Sequence, residues 1–423
     1  MASCVAVHVG AGFHSTAKEK QYRAACARAC QAAMRVLRNG GIALEAVEKA
    51  IIELENEPLT NAGYGSNLTL HGAVECDASI MEGCNGRFGA IGAVPGIRNP
   101  ISVAKGLVDE SSKGLMTLGR IPPMFLAGNG ARDWARNHGI DVMDDATALI
   151  SDGALDTYVS HLTRVNDDHR GRGEPLEPAS SAFIQDREIK KRKVDLGFVE
   201  GDDVTGLGHD TVGAVCLDMR GNVAAGVSSG GISLKFPGRV GEAAMYGCGC
   251  WAQNPTNDLP GVGCSATGTG EQLMKTLFAK TCADRVLAND DMQATMTTLM
   301  ENDFLGSPLI RTFDDKNAGI IAIKVENVDG NQTGSGDGNG GHKMLELWYG
   351  HTTQSMVSPV VGHIFYVSPA SARLIGNGEM KILQGIGYMT DQFSKPKIKR
   401  AVVRILYKLS FNSVGIDAHI AEI

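Results

Sequence analysis

The feature that most constrains this chain is residues 208–229, where a loop of glycine and charged residues leads into two short apolar segments. Residues 212–217 are β-branched and apolar, residues 218–222 have turn composition, and the apolar pattern returns from residue 223. This pattern predicts a β-hairpin. If Leu217 and Val223 flank the turn, antiparallel pairing places Ser229 opposite Thr211, so two hydroxyls face each other at the open end, just before Gly231.

Composition excludes several classes of protein. With 423 residues, 43% of them apolar, the chain can bury one large core or two smaller ones. The net charge of −7 argues against general nucleic-acid binding, and no apolar run reaches membrane length. The ten cysteines form no CxxC pair, so we expect reduced, buried thiols in an intracellular protein, with neither a metal site nor a cofactor.

The first half of the chain alternates between strand and helix patterns until about residue 140. We predict strands at 4–12, 73–80 and 88–94, and helices at 17–38, 43–55, 99–109 and 129–137. The polar, glycine-bearing loop at 60–67 is equally consistent with turn chemistry alone and with a functional role.

Residues 141–208 lack any sustained apolar period and predict a long flexible loop that ends just before Thr211. Within this loop, residues 190–193 (KKRK) form a basic cluster that is consistent with nuclear import, and equally with a solvated charged face.

The second half predicts a helix that begins near residues 263–271 and runs to about 288, followed by strands at 320–328 and 344–349. Residues 395–408 have the composition of a surface helix or an appendage. The sequence does not decide the structure of the tail at about 390–423.

A threonine hydroxyl is a weak nucleophile and needs a base beside it. The α-amino group of the same threonine provides one when the preceding peptide bond is cut, since its reference pKa is ~7.7–8.0. A threonine after a long loop and at the head of a strand therefore suggests self-cleavage between Asp210 and Thr211.

The other polar residues fit the same reaction. Ser229 could hold the Thr211 hydroxyl and amine in register, and Arg239 could bind a substrate carboxylate through a two-pronged contact. The Thr267 hydroxyl and the Gly268 N–H could face the developing oxyanion, where one donor is typically worth ~2.7–4 kcal/mol.

Together these residues resemble the type 2 asparaginase family of N-terminal nucleophile hydrolases. The resemblance covers roughly residues 4–356, and eight segments carry it: HVGAG (8–12), TNAGYGSN (60–67), CDASIMEG (76–83), DTVGAV (210–215), SSGG (228–231), PGRVG (237–241), TGTGE (267–271) and HTTQSM (351–356).

The resemblance implies an α/β (α+β) fold, a four-layer αββα sandwich that forms one domain from two autocleaved segments, 1–210 (α) and 211–423 (β). It also implies catalytic roles for four residues: Thr211 as nucleophile, Ser229 as second hydroxyl, and Thr267 with Gly268 as oxyanion hole. The substrate-binding residues would be Arg239, Gly231 and Glu242.

Within the family, the endopeptidase branch, the taspases (threonine aspartases), is the most similar. Asp210 stands where asparaginases usually carry glycine, and Ser229 where they usually carry threonine. The long basic loop is also similar to that of taspases. Glu242 departs from both branches, because asparaginases place Asp there to bind the substrate's α-amine and taspases typically lack that acid.

The resemblance further implies a substrate and a location. Arg239 would hold the side-chain carboxylate of an aspartate while Thr211 attacks its main-chain carbonyl. The partners would then be transcription and chromatin regulators with an Asp cleavage site, and the location would be nucleus and cytoplasm. The α and β segments would pair with each other, and the sequence leaves open whether two such units form a dimer. An L-asparaginase or isoaspartyl peptidase of the same family is the second interpretation, and an uncut, inactive binding protein is the third.

Overall fold

The computed structural model describes residues 2–12, 18–173, 211–328, 342–353, 355–364, 382–388 and 403–408, and the statements below concern these residues. Fourteen strands lie at β1 Ala2–His8, β2 Ala11–Gly12, β3 Cys76–Glu82, β4 Phe88–Val94, β5 Phe125–Ala127, β6 Val212–Leu217, β7 Val223–Ser229, β8 Cys250–Gln253, β9 Gly261–Gly268, β10 Ala318–Val328, β11 His342–His351, β12 Ser355–Ile364, β13 Ile382–Tyr388 and β14 Val403–Lys408. The α-helices among the same residues are α1 Glu19–Arg38, α2 Ala43–Glu55, α3 Pro100–Ser112, α4 Gly128–Asn137, α5 Asp152–Arg172, α6 Gly270–Lys275, α7 Phe278–Ala288 and α8 Met292–Thr298, and the last continues as a π-helix over Leu299–Leu305.

The strands form two sheets. One has the order β13-β12-β1-β6-β7-β3-β4-β5, with β2 paired to β12, and the other has the order β14-β11-β10-β9-β8. Only the pairing of β4 with β5 is parallel among those that the structure describes. Mixed helix and sheet of this kind is an α+β fold.

Two large apolar clusters hold the elements together. Helices α1, α2 and α3 pack on the larger sheet, where alanine and cysteine on α1 and α2 let the helix backbones approach the strands closely. The second cluster joins β6, β7 and β3 to β8 and β9 of the smaller sheet, and α7 packs on that sheet as well. Strands β6 and β7 are therefore buried on both faces, which explains their nearly continuous apolar sequence.

The predicted hairpin at 211–229 is confirmed in its register. Leu217 pairs with Val223, and Val212 pairs with Ser228, so the next residue on each strand, Thr211 and Ser229, stand side by side. The turn between them is closed by Asp218, whose carboxylate accepts the backbone N–H groups of Arg220 and Asn222. Since the turn fixes the register, it also fixes which side chain faces Thr211.

The prediction of a loop over 141–208 is wrong for its first part. A helical turn at Ala146–Leu149 and the 21-residue helix α5 occupy it. Helix α5 buries Ala154, Tyr158 and Leu162 at intervals of four residues, and Leu155 and Val159 pack beside them partly buried. These residues have helical spacing, but the glycine-rich and charged residues that follow them obscured the period in the sequence. The basic cluster at 190–193, like the rest of 174–210, lies outside the described residues.

Two predictions in the second half also need correction. The helix expected to reach residue 288 is broken into α6 and α7 at Leu277, which has the positive φ of 45°. Part of the stretch at 395–408, expected to be a surface helix or an appendage, forms strand β14, which pairs with β11 at the edge of the smaller sheet. The apolar run Ile405–Tyr407 after Val403 has the β-branched and aromatic composition of a strand, but the surrounding basic residues obscured it.

Gly213 tests how tightly the two sheets meet under the hairpin. A Cβ placed there would lie 2.0 Å from Ser265 Oγ on β9 and 2.4 Å from His8 Nε2 on β1, two buried atoms that are hydrogen-bonded to each other. Gly213→Ala should therefore lower the free energy of unfolding by about 1–3 kcal/mol, as overpacked cores typically do. Urea denaturation, followed by circular dichroism, measures it.

Gly153→Ala is the matched control, because nothing lies within 4 Å of a Cβ at that position of α5. Alanine there should be neutral or stabilise the protein by up to about 1 kcal/mol. Equal stability of the two variants would contradict the close contact between the sheets at Gly213.

Candidate active site

Thr211 lies at the start of β6, buried, with its hydroxyl oxygen 3.0 Å from Ser229 Oγ. The contact confirms that the two hydroxyls of the hairpin meet. Ser229 Oγ also accepts the backbone N–H of Gly231, at 3.0 Å, so the serine side chain is held in one orientation. A fixed oxygen beside the Thr211 hydroxyl restricts the rotation of that hydroxyl.

Glu242 is the second polar contact of Thr211. It begins a short 3₁₀ helix, Glu242–Ala244, and its Oε1 accepts the Thr211 hydroxyl at 3.0 Å. The Glu242 residue is only 3% exposed. Burial raises the pKa of Glu242 to about 7, although the positive charge of Arg239 opposes the shift. The group therefore changes its charge near neutral pH.

Arg239 reaches the same pocket from the loop before Glu242. Its Nε and Nη2 donate to the two carboxylate oxygens of Glu271, at 2.9 and 2.8 Å. Arg239 is 13% exposed in its side chain and Glu271 is 40% exposed, so the acid forms the outer end of the pair. A Cβ at Gly270 or Gly241 would lie within 2.9 Å of the guanidinium nitrogens, which explains why glycine surrounds them. Glu271 thus sets the plane of the guanidinium group.

Asp77 anchors the loop that carries Arg239 and Glu242. Its Oδ1 accepts the N–H of Ala93, and its Oδ2 accepts the N–H of Gly241, both at 2.8 Å. Burial raises the pKa of the Asp77 carboxyl, and the charge of Lys235 opposes that shift. Asp77 therefore links strand β3 to the backbone next to Glu242.

The 60–67 loop positions the other wall of the site. The carboxamides of Asn61 and Asn67 both donate to the carbonyl of Gly231 at 2.8 Å, and the Asn61 carbonyl accepts the N–H of Gly230. These contacts are not turn chemistry alone, since they fix the backbone that follows Ser229. Sequence reasoning left the role of this loop open. The sequence signal that could have indicated this role is the pair of asparagines, six residues apart, on either side of two glycines.

The two residues expected to form the oxyanion hole occupy different positions. Gly268 lines the pocket and has φ of 144°, a conformation that favours glycine. The Thr267 hydroxyl is buried and accepts the N–H of Ala11 at 3.3 Å. The oxyanion role of this pair stays a prediction. Asp210 lies outside the described residues.

His8 lies beneath the hairpin, where sequence reasoning assigned it no role. Its Nε2 is 2.9 Å from Ser265 Oγ, and burial lowers the pKa of His8 to about 3. The ring is therefore neutral at physiological pH and a weak base.

The pocket formed by these groups is small, with a cavity volume of about 10 Å³, which leaves room for little more than one water molecule. It combines a hydroxyl, a buried carboxyl and a guanidinium group. Within the described ranges, no cluster of His, Cys, Asp and Glu has the arrangement of a metal site, and no helix is long and apolar enough to span a membrane. The lining residues are Asn61, Thr211, Ser229, Gly231, Ile232, Arg239, Glu242, Gly268 and Gly270.

Comparison with known proteins identifies the family of the chain. The family model described as asparaginase (Asparaginase_2) matches residues 1–326, about three quarters of the chain. The chain belongs to this family. Its members have the N-terminal nucleophile hydrolase fold, and membership supports a hydrolase activity for the chain.

Individual relatives share about a third of their residues with the chain. The isoaspartyl peptidase/L-asparaginase of Mus musculus is 34% identical over 277 residues, covering 65% of this chain and 70% of the relative. The protein of the same name from Homo sapiens is also 34% identical, with 65% and 74% covered. The plant-type L-asparaginase of Pyrobaculum calidifontis is 32% identical over 323 residues, with 75% and 89% covered.

Glu271→Gln tests whether Glu271 orients Arg239. The variant loses the negative charge and one of the two acceptors that fix the guanidinium plane, so the arginine should bind a substrate carboxylate less well. We expect KM to rise about three- to tenfold, or ~0.7–1.4 kcal/mol, with a smaller change in kcat. Steady-state hydrolysis of carboxylate-bearing family substrates measures both constants.

Glu301→Gln is the control, because Glu301 is exposed and lies on the π-helix after α8, away from the residues that line the pocket. A lower KM in Glu271→Gln would mean that Glu271 competes with substrate for Arg239 and would contradict the orienting role.

Proposed function

We propose that this chain is a threonine endopeptidase of the taspase type, which cuts itself between Asp210 and Thr211 and then hydrolyses peptide bonds after aspartate. The observation that carries the proposal is the contact of the Thr211 hydroxyl with Ser229, in a pocket that also contains the guanidinium group of Arg239. A nucleophile and a carboxylate-binding group in so small a pocket select a substrate that carries a carboxylate close to the reacting carbonyl.

The reaction of the cut enzyme follows from these positions. The free α-amine of Thr211 takes the hydroxyl proton as Oγ1 attacks the substrate carbonyl, and Ser229 keeps the hydroxyl in place. The proton then passes to the leaving amine, and the acyl group remains on Oγ1 as an ester. Water hydrolyses the ester and restores the enzyme. The oxyanion donors of this proposal are Thr267 and Gly268.

Aspartate specificity rests on the distance between two groups of the substrate. In aspartate, the side-chain carboxylate and the main-chain carbonyl are separated by two carbons, and either can face Thr211 while the other faces Arg239. The chain's own junction favours the main-chain carbonyl, since Asp210 precedes the bond that self-cleavage would break. If the aspartate of another protein binds in the same way, Thr211 attacks its main-chain carbonyl and the enzyme is an endopeptidase.

The second candidate is an isoaspartyl peptidase or L-asparaginase. The names of the relatives favour it, and so does Glu242. A buried carboxyl group next to Arg239 is suited to bind the α-ammonium of a free amino acid or β-aspartyl dipeptide, while Arg239 binds its α-carboxylate.

The order of the layers in the fold, the cellular location, the protein substrates and the assembly are part of the same proposal. The contacts of helices with each sheet, and of the two sheets with each other, support the αββα order of layers. The nuclear and cytoplasmic location, the transcription and chromatin regulators as substrates, and the pairing of two α and β units stay predictions from the sequence.

Self-cleavage is the first expected outcome. The purified chain should yield fragments 1–210 and 211–423 on a denaturing gel, and N-terminal sequencing of the second should begin at Thr211. Thr211→Ala should remain whole because it has no nucleophile, while Thr211→Ser keeps a hydroxyl and should still be cut, more slowly. Cleavage of Thr211→Ala without added protease would exclude the mechanism.

Substrate choice separates the two candidates. A peptide with Asp before the scissile bond should be cut. Its Asn analogue should react roughly ten- to 150-fold more slowly, because it loses charge-assisted hydrogen bonds to Arg239 that are typically worth ~1.5–3 kcal/mol, while Glu271 still pairs with the arginine. The Glu analogue should also react poorly, since the extra methylene moves the carbonyl away from Thr211. Peptide cleavage followed by mass spectrometry gives the rates.

Arg239→Ala should lose activity on the Asp peptide and keep the circular dichroism spectrum of the parent, whereas Glu301→Gln should retain its rate. Rapid hydrolysis of asparagine or a β-aspartyl dipeptide, without cleavage of the Asp peptide, would establish the second candidate and exclude the endopeptidase.

A further inference from the structure

The uncut chain faces a chemical problem that the cut enzyme does not. Before cleavage, the nitrogen of Thr211 belongs to the peptide bond with Asp210 and is not basic, so it cannot accept the hydroxyl proton. The first cut therefore needs a different base. This need exists only if the chain cuts itself between residues 210 and 211, as proposed above.

The described residues around Thr211 offer few candidates. Ser229 is a hydroxyl with no useful basicity at neutral pH. His8 binds Ser265 through Nε2, and its pKa of about 3 makes it a weak base. Arg239 is permanently charged. Glu242 is the one described carboxyl group that accepts a hydrogen bond from the Thr211 hydroxyl.

The geometry supports a directed proton transfer. Thr211 Oγ1 has one proton and two neighbours at 3.0 Å, Ser229 Oγ and Glu242 Oε1. An ionised carboxylate has no proton to give, so the Thr211 proton points to Glu242, and Ser229 is free to donate its own proton to Thr211 Oγ1. The donor–acceptor distance is within the range for proton transfer by a general base.

We propose that Glu242 is the general base of self-cleavage, taking the proton of the Thr211 hydroxyl as it attacks the carbonyl carbon of residue 210. This role precedes the one that the free α-amine has in the cut enzyme, and it differs from the binding of a substrate amine.

The step balances without any co-reactant except water. Thr211 Oγ1 forms a bond to the carbonyl carbon of residue 210, and its proton moves to Glu242. The C–N bond then breaks, and Glu242 returns the proton to the Thr211 nitrogen, which becomes an amine. The resulting ester is hydrolysed by water to the carboxylate of Asp210 and the free hydroxyl of Thr211.

The surroundings of Glu242 place its titration near neutral pH. Burial raises the pKa of Glu242 to about 7; Arg239 lowers it and Asp77, on β3, raises it. Cys248 also faces the carboxyl group, and Glu271, on α6, binds Arg239. A base with a pKa close to the working pH is the most effective. Because the ionised form is the active one, the rate should rise with pH below about 7 and level off above it.

The test follows the first cut in freshly made full-length chain. The protein is translated in a reconstituted cell-free system, exchanged into buffers between pH 5.5 and 8.5, and sampled over time on denaturing gels. In the wild type, the rate should increase up to about tenfold per pH unit well below pH 7 and become constant above it. Glu242→Gln should be slower by about 10²–10⁴-fold, with no inflection near pH 7.

Two further variants separate a base from a structural group. Glu242→Asp keeps a carboxylate one methylene farther away, and it should be cut at an intermediate rate with the pH dependence retained. Glu242→Ala should be accelerated by added formate, a small carboxylate that fits the vacated space. Glu301→Gln, on an exposed helical surface, should match the wild type.

Each outcome has one meaning. Glu242→Gln within threefold of wild type, with the same pH profile, would overturn the role of Glu242 and leave the proposed function intact. Equal slowing of all three Glu242 variants, without rescue by formate, would also overturn it, because the side chain would then be structural. A wild-type chain that stays whole would remove the proposed function itself.

Discussion

The arrangement of this protein depends on one hydrogen-bonded cluster, in which the hydroxyl of Thr211 meets Ser229 Oγ and Glu242 Oε1 at 3.0 Å each. Each partner reaches Thr211 from a different part of the chain: Ser229 through the hairpin register, and Glu242 through a loop tied to Asp77. Burial changes the ionisation of the Glu242 carboxyl group in this cluster. In water a carboxyl group would be ionised at neutral pH, whereas here its pKa of about 7 leaves both forms populated.

The positive charge of Arg239 stabilises the ionised form of the buried Glu242 carboxyl group. Three acidic groups, Asp77, Glu242 and Glu271, surround it and contribute to its elevated pKa. Glu271 makes the direct, two-pronged contact, and burial weakens the screening by water that would otherwise reduce the interaction. The site is therefore a network of charges in which removal of one member changes the others.

The sequence predicted the centre of this site better than its rim. The hairpin could be predicted because a turn between Leu217 and Val223 leaves one register, and that register determines the partner of Thr211. Glu271 was visible only as part of a motif, since its contact with Arg239 joins residues 32 apart through the path of two loops. Asp77 was missed for the same reason.

Helix α5 shows a different limit of sequence reasoning. Its apolar residues form a short stripe at helical spacing between Ala154 and Leu162, and the charged and glycine residues that follow obscured it. Strand β14 was likewise obscured by flanking lysines, although its pairing with β11 extends the smaller sheet. In both cases the tertiary partner, rather than the local pattern, decides the structure.

The order of strands in the larger sheet has a consequence for the cut protein. Strands β6 and β7, which follow residue 210, lie between β1 and β3, which precede it, and β12 pairs with the outer side of β1. The two products of a cut at residue 210 would therefore be interleaved, each holding strands between those of the other. They could part only by breaking several rows of backbone hydrogen bonds at once. Folding of the intact chain is intramolecular, but reassembly after separation would be bimolecular and concentration-dependent. After the cut, the fold would therefore be maintained mainly by the slow dissociation of the two fragments, which is kinetic rather than equilibrium stability.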